Sequence, residues 1–502
     1  MKKLIKSLAW IDSNILKLLI SLFIFLNPLY PKLRITNVNY TYISIRMEDF
    51  LIGLIFGVFA LQLLRKKAQV NKKYFFLFLA FWAAAFISFL SGYFLSKTIV
   101  IRHLGLLHVL RRIEYMGPFF VAFACIKNRK DLFYYLSLIW ITALIVNVYG
   151  VGQKFLGWPA VQTMNPEYSK GYLLFLTPEA RISSTFGGHY DLAAYLVFLM
   201  PMMLGMYFFR EKVSYLLLFI FSIFILVLTA SRISYIAYLV AVVPFLLILK
   251  KPKILLIALV FTALFTLTSK NLTSRISRTF QVKQIFVNSQ TGQVVVPQKI
   301  TSKEVPAGTF YLPINKPVDT NPAVIQNNQA LARQKILEDI RTEASKEGKV
   351  LTTKEEDTLI ASISAELKPI STVVSDISFA TRLQVEWPRA IHAFIRHPLF
   401  GAGPSSITEA TDNDYLRWLG EFGLVGTVIF VVVLLQIFKQ ILLYAKSLKG
   451  KEKYLILSFL FGLFGLLVNA TYIDVFEASK VAFQFWVMTG LLIGHASLKN
   501  HE

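Results

Sequence analysis

The sequence predicts an all-α polytopic membrane protein with about 12 transmembrane helices and a large extracytoplasmic loop carrying an α+β insertion. Three observations carry that expectation. Of 502 residues, 55% are hydrophobic and only 16% charged, whereas ordinary soluble domains hold about 25% charged residues. Apolar runs of about 20 residues recur, the length that crosses a bilayer core. Lys and Arg concentrate in every second connection between those runs, which is how topology is encoded. A soluble enzyme, a disordered chain and a disulfide scaffold are all excluded.

The apolar runs fall at 13–30, 48–64, 74–93, 104–126, 132–151, 190–209, 214–230, 232–250, 254–269, 422–445, 454–473 and 480–496. The first begins after the basic start Met1-Lys2-Lys3 and ends in Asn27-Pro28 without a small-residue cleavage site, so it reads as a retained helix. The basic connections are Arg65-Lys66-Lys67 with Lys72-Lys73, Lys127 to Lys130, Arg210-Glu211-Lys212, Lys250 to Lys253, and Lys446 to Lys453. The positive-inside bias makes these cytoplasmic, puts both termini inside, and leaves 31–47, 152–189 and about 270–421 on the outer side. The expected organisation is therefore an N-terminal bundle over 1–269, an outer loop over 270–421, and C-terminal spans with a short cytoplasmic tail over 422–502.

Within the loop, Val287–Ile300 reads as a hairpin around Gln290-Thr291-Gly292. Residues 323–345 and 354–367 read as helices, the second with Leu359, Ile360, Ile363 and Leu367 as its apolar positions. No internal repeat supports an inverted-repeat transporter.

The formal net charge is +24. In a soluble chain that would suggest nucleic acid, but here the basic residues sit in the short connections, so no nucleic-acid partner is expected. Cys125 is the single cysteine, which excludes an internal disulfide and a cysteine metal cluster. No metal signature, P-loop or dinucleotide fingerprint is present.

Ionisable residues gather instead at the outer ends of the spans. The first cluster is Arg181-Ile-Ser-Ser-Thr-Phe-Gly-Gly-His189-Tyr190-Asp191. Its plain reading is a capped helix start, with Asp191 where an N-cap accepts backbone N–H groups. Its functional reading is an anion-binding and proton-transfer site at the membrane surface. The second is Thr229-Ala-Ser-Arg232, dividing an apolar stretch sufficient for two crossings. Arg232 either snorkels to water or turns its guanidinium fork on a phosphate. The third runs from Arg382 through Glu386, Trp387 and Arg389 to His397-Pro-Leu-Phe-Gly401-Ala-Gly403, then Asp412-Asn413-Asp414-Tyr415 and Glu421. Helical spacing puts Arg382, Glu386, Arg389 and Ala390 on one side of an amphipathic surface helix anchored by Trp387. Arg111 and Glu114, three apart in the span 104–126, read as a structural ion pair, with His108 and Arg112 sharing a face.

The order of these motifs resembles the O-antigen ligase and polymerase superfamily. The residues that carry the resemblance are Arg181 with Phe-Gly-Gly-His-Tyr-Asp, Thr-Ala-Ser-Arg232, Arg382 with His-Pro-Leu-Phe-Gly-Ala-Gly, and Asp-Asn-Asp-Tyr-Leu with Gly-Glu-Phe-Gly. Arg46-Met-Glu48-Asp49 and Arg112-Ile-Glu114-Tyr115 are similar to that family too. The likeness covers nearly the whole membrane part, while about 283–370 matches nothing and reads as an insertion.

The resemblance implies a GT-C-like membrane glycosyltransferase without metal or cofactor. Such an enzyme moves a glycan from a polyprenyl-diphosphate carrier to a saccharide, glycolipid or glycoprotein acceptor at the outer face of the cytoplasmic membrane. It implies that Arg181 and Arg232 hold the diphosphate, with Arg382 as a third candidate, and that Asp191, Asn413 and Tyr415 support the site. The family commonly has a His-Asn pair where this chain has Asp412-Asn413. The general base is therefore Asp412, or His189 from the other side, or is missing. Two other classes stay open: a transporter or flippase of lipid-linked saccharides, and a non-catalytic membrane scaffold.

Overall fold

The computed structural model describes residues 2–498 except 40, 42–43, 164–171, 278–279, 289–293, 296–311, 314–332, 335, 339, 342–343, 345–351, 366, 376–378, 380 and 408–409. Two compact units are present: residues 1–273 with 387–502, and residues 274–386.

In the first unit α1 (Lys2–Leu29) leads through the strands β1 (Arg34–Asn37) and β2 (Ser44–Arg46) to α2 (Met47–Leu64). Then come α3 (Lys72–Leu90), α4 (Arg102–Met116), α5 (Pro118–Cys125) and α6 (Arg129–Phe155). After the short pair β3 (Ala160–Val161) and β4 (Leu173–Leu174) follow α7 (His189–Arg210), α8 (Val213–Thr229), α9 (Arg232–Ile248), α10 (Pro252–Thr268) and α11 (Lys270–Ser277), whose residues from Ser274 on belong to the second unit. Local chemistry starts several of them. Asp49 accepts the Arg46 N–H at 2.8 Å to open α2, and Asn128 accepts from Lys130 at 2.9 Å to open α6. Such contacts supply partners for amide groups that a helix start leaves unpaired.

Among the described residues, eight helices are long and apolar enough to cross a membrane: Trp10–Leu29, Met47–Leu64, Lys72–Leu95, Arg129–Phe155, His189–Arg210, Asp414–Ser447, Gly450–Asn469 and Ser479–Leu498. This is a polytopic, mostly helical membrane protein. The expected spans at 214–230, 232–250 and 254–269 are helices of 17 residues each. The expected span 104–126 is two helices meeting at Gly117-Pro118, where Pro118 brings no N–H to the ladder.

The second unit holds β5 (Phe280–Asn288), β6 (Val294–Val295), β7 (Leu312–Pro313), α12 (Thr353–Ala365) and β8 (Leu367–Ser375). Its antiparallel sheet runs β6-β5-β8-β7. The expected hairpin is present in its described residues, pairing Phe286 with Val295 and Val287 with Val294. Helix 354–367 is α12, but it stops at Ala365, and Leu367 opens β8 instead of completing an apolar helix face. The expected helix 323–345 lies mostly outside the described residues. Arg382–Glu386 forms a π-helical turn, so α-helical spacing does not run through it. The grouping of Arg382 and Glu386 with Arg389 and Ala390 on one helix side fails for that reason.

The chain rejoins the first unit with α13 (Trp387–Arg396), then α14 (Asp414–Ser447), α15 (Gly450–Asn469) and α16 (Ser479–Leu498). α14 is 34 residues long and breaks at Gly423, whose φ of 63° is left-handed. Four backbone bonds span the break. Leu424 and Val425 donate to the Pro398 and Leu399 carbonyls at 2.8 and 3.1 Å, while Ala402 and Gly403 donate to Gly420 and Glu421 at 2.8 and 3.0 Å. Gly401 and Gly403, at φ 73° and 96°, make the tight turn that allows this.

The core centres on α7 and α16, nearly all of whose residues are buried. α7 packs on α15 with Gly462 against the Phe198 carbonyl, and α16 packs on α5 with Gly490 against Phe119. In a membrane such close backbone approach substitutes for a hydrophobic drive between helices.

Candidate active site

Arg181 heads a strap, 182–188, whose side-chain positions are buried up to His189. Gln153 on α6 fastens the strap: its Oε1 accepts the Ser183 and Ser184 N–H groups at 3.2 and 2.7 Å, and its Nε2 donates to the Ser184 carbonyl at 2.7 Å. Ser184 has a left-handed φ of 51°, strained for a residue with a side chain, and its hydroxyl donates to the Val146 carbonyl at 2.7 Å.

The strap lies against the turn that bears Arg232. The Ile182 N–H donates to the Leu228 carbonyl at 3.5 Å, three residues before Ser231. Ala230 closes α8 at φ 49°, and Arg232 is the first residue of α9, half-buried. Arg181 also places its guanidinium 5.8 Å from the Tyr190 ring centre. Tyr190 stacks obliquely on His189, centroid to centroid 4.0 Å.

From the Arg232 turn a polar chain leads to the third motif. Ser231 donates to Ser234, and Ser234 to Asn469 Oδ1, each at 2.8 Å. Just beyond Asn469, the Ala470 carbonyl accepts the Asp414 N–H at 3.0 Å and the Thr471 carbonyl accepts Asn413 Nδ2 at 2.9 Å. Asn413 caps α14 by accepting the Leu416 N–H at 3.0 Å. Tyr415 donates its hydroxyl to the Leu467 carbonyl at 2.9 Å. Asp412 is half-buried at φ 51°.

Asp474 holds that loop. Its Oδ2 accepts the Thr411 and Asp412 N–H groups at 2.9 and 3.1 Å and Arg417 Nη1 at 2.8 Å, while Oδ1 accepts the Asn413 N–H at 3.0 Å. Buried charges continue inward. Arg417 lies 3.4 Å from Glu421, Glu421 lies 3.5 Å from Arg112, and Arg112 also contacts Glu477. Ions this deep are tolerated only when paired. The ion pair of α4 is thus made by Arg112 with residues far along the chain. Arg111 donates to the Tyr115 hydroxyl at 2.7 Å, in place of the expected pairing with Glu114.

Asp191 is the third residue of α7, whose N-cap is Gly188, so it does not cap the helix as expected. It faces Lys32 at 3.8 Å. Burial pushes the Lys32 amine below its usual range, an effect that Asp191 partly opposes. Lys480, buried at the start of α16, donates to the Pro28, Tyr30 and Thr185 carbonyls at 3.1, 2.7 and 2.7 Å.

Seven of the eight residues singled out in the sequence therefore belong to one end of one helix bundle: Arg181, His189, Asp191, Arg232, Asp412, Asn413 and Tyr415. Arg382 belongs to the second unit and is not among the residues joined here. Sequence reasoning missed Gln153, Asp474 and Lys480, and it left Arg417 and Glu421 without roles. The one available signal was the Asp474-Val-Phe-Glu477 stretch interrupting two apolar runs. Among the described residues no group of three or more His, Cys, Asp or Glu is placed to hold a metal ion.

Fold and site together define a polytopic membrane protein with a hydrogen-bonded, charge-rich site at the helix ends. Residues 217–431 match the O-antigen ligase family model. The match supports the O-antigen ligase and polymerase superfamily and an O-antigen ligase/polymerase-like function. Arg232, Arg382, Asp412, Asn413 and Tyr415 fall inside the matched stretch, whereas Arg181, His189 and Asp191 precede it. No curated protein matches the chain.

Proposed function

We propose that the protein is a glycosyltransferase that moves a saccharide from a polyprenyl-diphosphate carrier to an acceptor hydroxyl at the outer face of the cytoplasmic membrane. In this reading the chain crosses twelve times, both termini are cytoplasmic, and the excursion between the late spans is extracytoplasmic. The observation that carries it is the Ile182–Leu228 backbone bond, which sets the strap headed by Arg181 beside the turn of Arg232.

Two guanidinium groups at one helix-end cluster suit a diphosphate, because their planar donors match phosphate oxygens. In the reaction the acceptor hydroxyl gives its proton to the Asp412 carboxylate or the His189 imidazole. Its oxygen bonds to the anomeric carbon, and the bond from that carbon to the diphosphate oxygen breaks. The electron pair leaves with the diphosphate, whose growing charge Arg181 and Arg232 stabilise. Fixed cationic donors in a site shielded from water do this without reorganising. Asp412 is favoured over His189 because it is the more exposed of the two. Asp191, Asn413 and Tyr415 support the site through the bonds described above.

The test is transfer in vitro by purified protein from a mixed pool of polyprenyl-diphosphate oligosaccharides. Wild type is compared with Arg232→Ala, Asp412→Ala and His189→Ala. Loss in Arg232→Ala and in one of the other two names the base. No transfer by wild type from any donor refutes the reading and points to a flippase or a scaffold.

A further inference from the structure

Lys480 is in the first turn of α16, where the helix dipole disfavours a cation. Its side chain is fully buried, which adds a desolvation cost for an ammonium. Two features offset these penalties. The Pro28 and Tyr30 carbonyls belong to the end of α1, a helix C-terminus, where a cation is favoured. The third acceptor is the Thr185 carbonyl in the strap between Arg181 and His189. Thr185 in turn donates its hydroxyl to Pro28 at 2.6 Å, and the ammonium lies 5.0 Å from the ring centre of Phe186. All three N–H donors are used, and they join α16, α1 and the strap.

We propose that Lys480 is a positioning residue that fixes the 182–188 strap and so sets Arg181 for the diphosphate of the donor. The proposal rests on the glycosyltransferase reading only for its second half. Gln153 holds the strap from the α6 side through Ser183 and Ser184, and Lys480 holds it from the α16 side. Without the ammonium, the Tyr30 and Thr185 carbonyls lose a buried donor. Pro28 keeps only the Thr185 hydroxyl, and that hydroxyl belongs to the segment then free to shift.

The experiment uses the purified full-length protein and Lys480→Met, similar in length but without charge or donors. Amide hydrogen exchange over 182–188 is expected to quicken about tenfold or more, with α15 unchanged. In the transfer assay the KM for the polyprenyl-diphosphate donor is expected to rise about tenfold, with kcat within about threefold. In an Arg181→Ala background, Lys480→Met is expected to raise KM no further, since coupled residues are non-additive. Unchanged exchange in the strap overturns the proposal. So does a KM effect that simply adds to that of Arg181→Ala, the mark of general destabilisation. If Lys480→Met does not fold, Lys480→Gln, neutral but with two N–H donors, is judged by the same readings. If wild type transfers nothing, the functional reading falls while the exchange result still decides whether Lys480 holds the strap.

Discussion

Replacing Asp474 by Ala removes one carboxylate that accepts three backbone N–H groups and one guanidinium. The acceptor distances are 2.9, 3.1 and 3.0 Å for Thr411, Asp412 and Asn413, and 2.8 Å for Arg417. A neutral hydrogen bond is worth about 1 kcal/mol net and one to a charged group about 1.5–3 kcal/mol. Four such bonds sum to several kcal/mol, but two facts reduce the loss. The Asp474 side chain is 11% exposed, so water replaces part of what is removed, and Arg417 keeps Glu421 at 3.4 Å. A net cost of about 3 kcal/mol remains, concentrated on the loop that holds Asp412 in its left-handed conformation. At 1.4 kcal/mol per decade, that displaces the productive loop by about a hundredfold. The assay is transfer rate from polyprenyl-diphosphate oligosaccharide at saturating donor, with thermal unfolding of the same samples. Asp474→Ala is expected to slow transfer about a hundredfold, and Asp474→Asn by less, because its amide oxygen still accepts backbone N–H groups. Asp474→Ala within about threefold of wild type would show that the loop does not need the carboxylate, and the reasoning would fail.

Arg232→Ala is expected to reduce transfer by about a hundredfold or more with the protein still in the membrane, and Arg232→Lys to recover only part, since a point charge replaces a fork. Normal transfer by the alanine variant would remove Arg232 from the site. Glu421→Gln, between the Arg112 and Arg417 guanidiniums, removes one of two carboxylate partners from each, and because Arg112 keeps Glu477 and Arg417 keeps Asp474 the cost is about 1–3 kcal/mol. Its melting temperature should fall by several degrees, and an unchanged one counts against the network. Gly401→Ala puts a Cβ at φ 73° against the Glu421 backbone, and a loss of about 1–3 kcal/mol is expected in denaturant unfolding. In the second unit the Arg341 guanidinium, bonded to Glu356 at 2.8 and 2.9 Å, holds that carboxyl below its usual range. A depressed folded-state pKa gives stability that is present above the ordinary carboxylate value and lost as pH falls through the lowered one. The difference in proteolysis rate between wild type and Arg341→Gln should therefore be small at neutral pH, because the pair is exposed, and vanish in acid. A difference that grows in acid would reverse the sign.

Hydrophobic run length made the helices readable: eight of the expected spans are long and apolar enough to cross, three are helices of 17 residues, and 104–126 is two helices. Run length reports hydrocarbon thickness without reporting breaks, so the kink at Gly423 and the Pro118 junction passed unseen. The site was readable as motifs because arginines and carboxylates at the ends of apolar runs are costly and therefore conspicuous. Their partners were not. Asp474 and Lys480 look like ordinary residues at the edge of a span, and their roles come from carbonyls and amides that carry no sequence signature. β8 was missed because Pro369 argues against a strand interior. Among the described residues β7 pairs with Val373 and Thr372, away from Pro369, which lies opposite Phe286 of β5. The π-helical turn at Arg382–Glu386 shows the limit of spacing arguments, since one extra residue per turn moves a side chain off its expected face.

The four backbone bonds across the Gly423 break have a consequence for how this chain tolerates change. A helix interrupted within a bilayer leaves amides and carbonyls that lipid cannot satisfy. Here the segment from Pro398 to Gly403 supplies their partners. That segment is gripped by the bundle at a fixed register. The compact unit 274–386 can be exchanged as a whole without touching these four bonds. The register at the grip then insulates Asp412 and its neighbours from the change. That unit is free to be exchanged while Asp412 and its neighbours keep their coordinates.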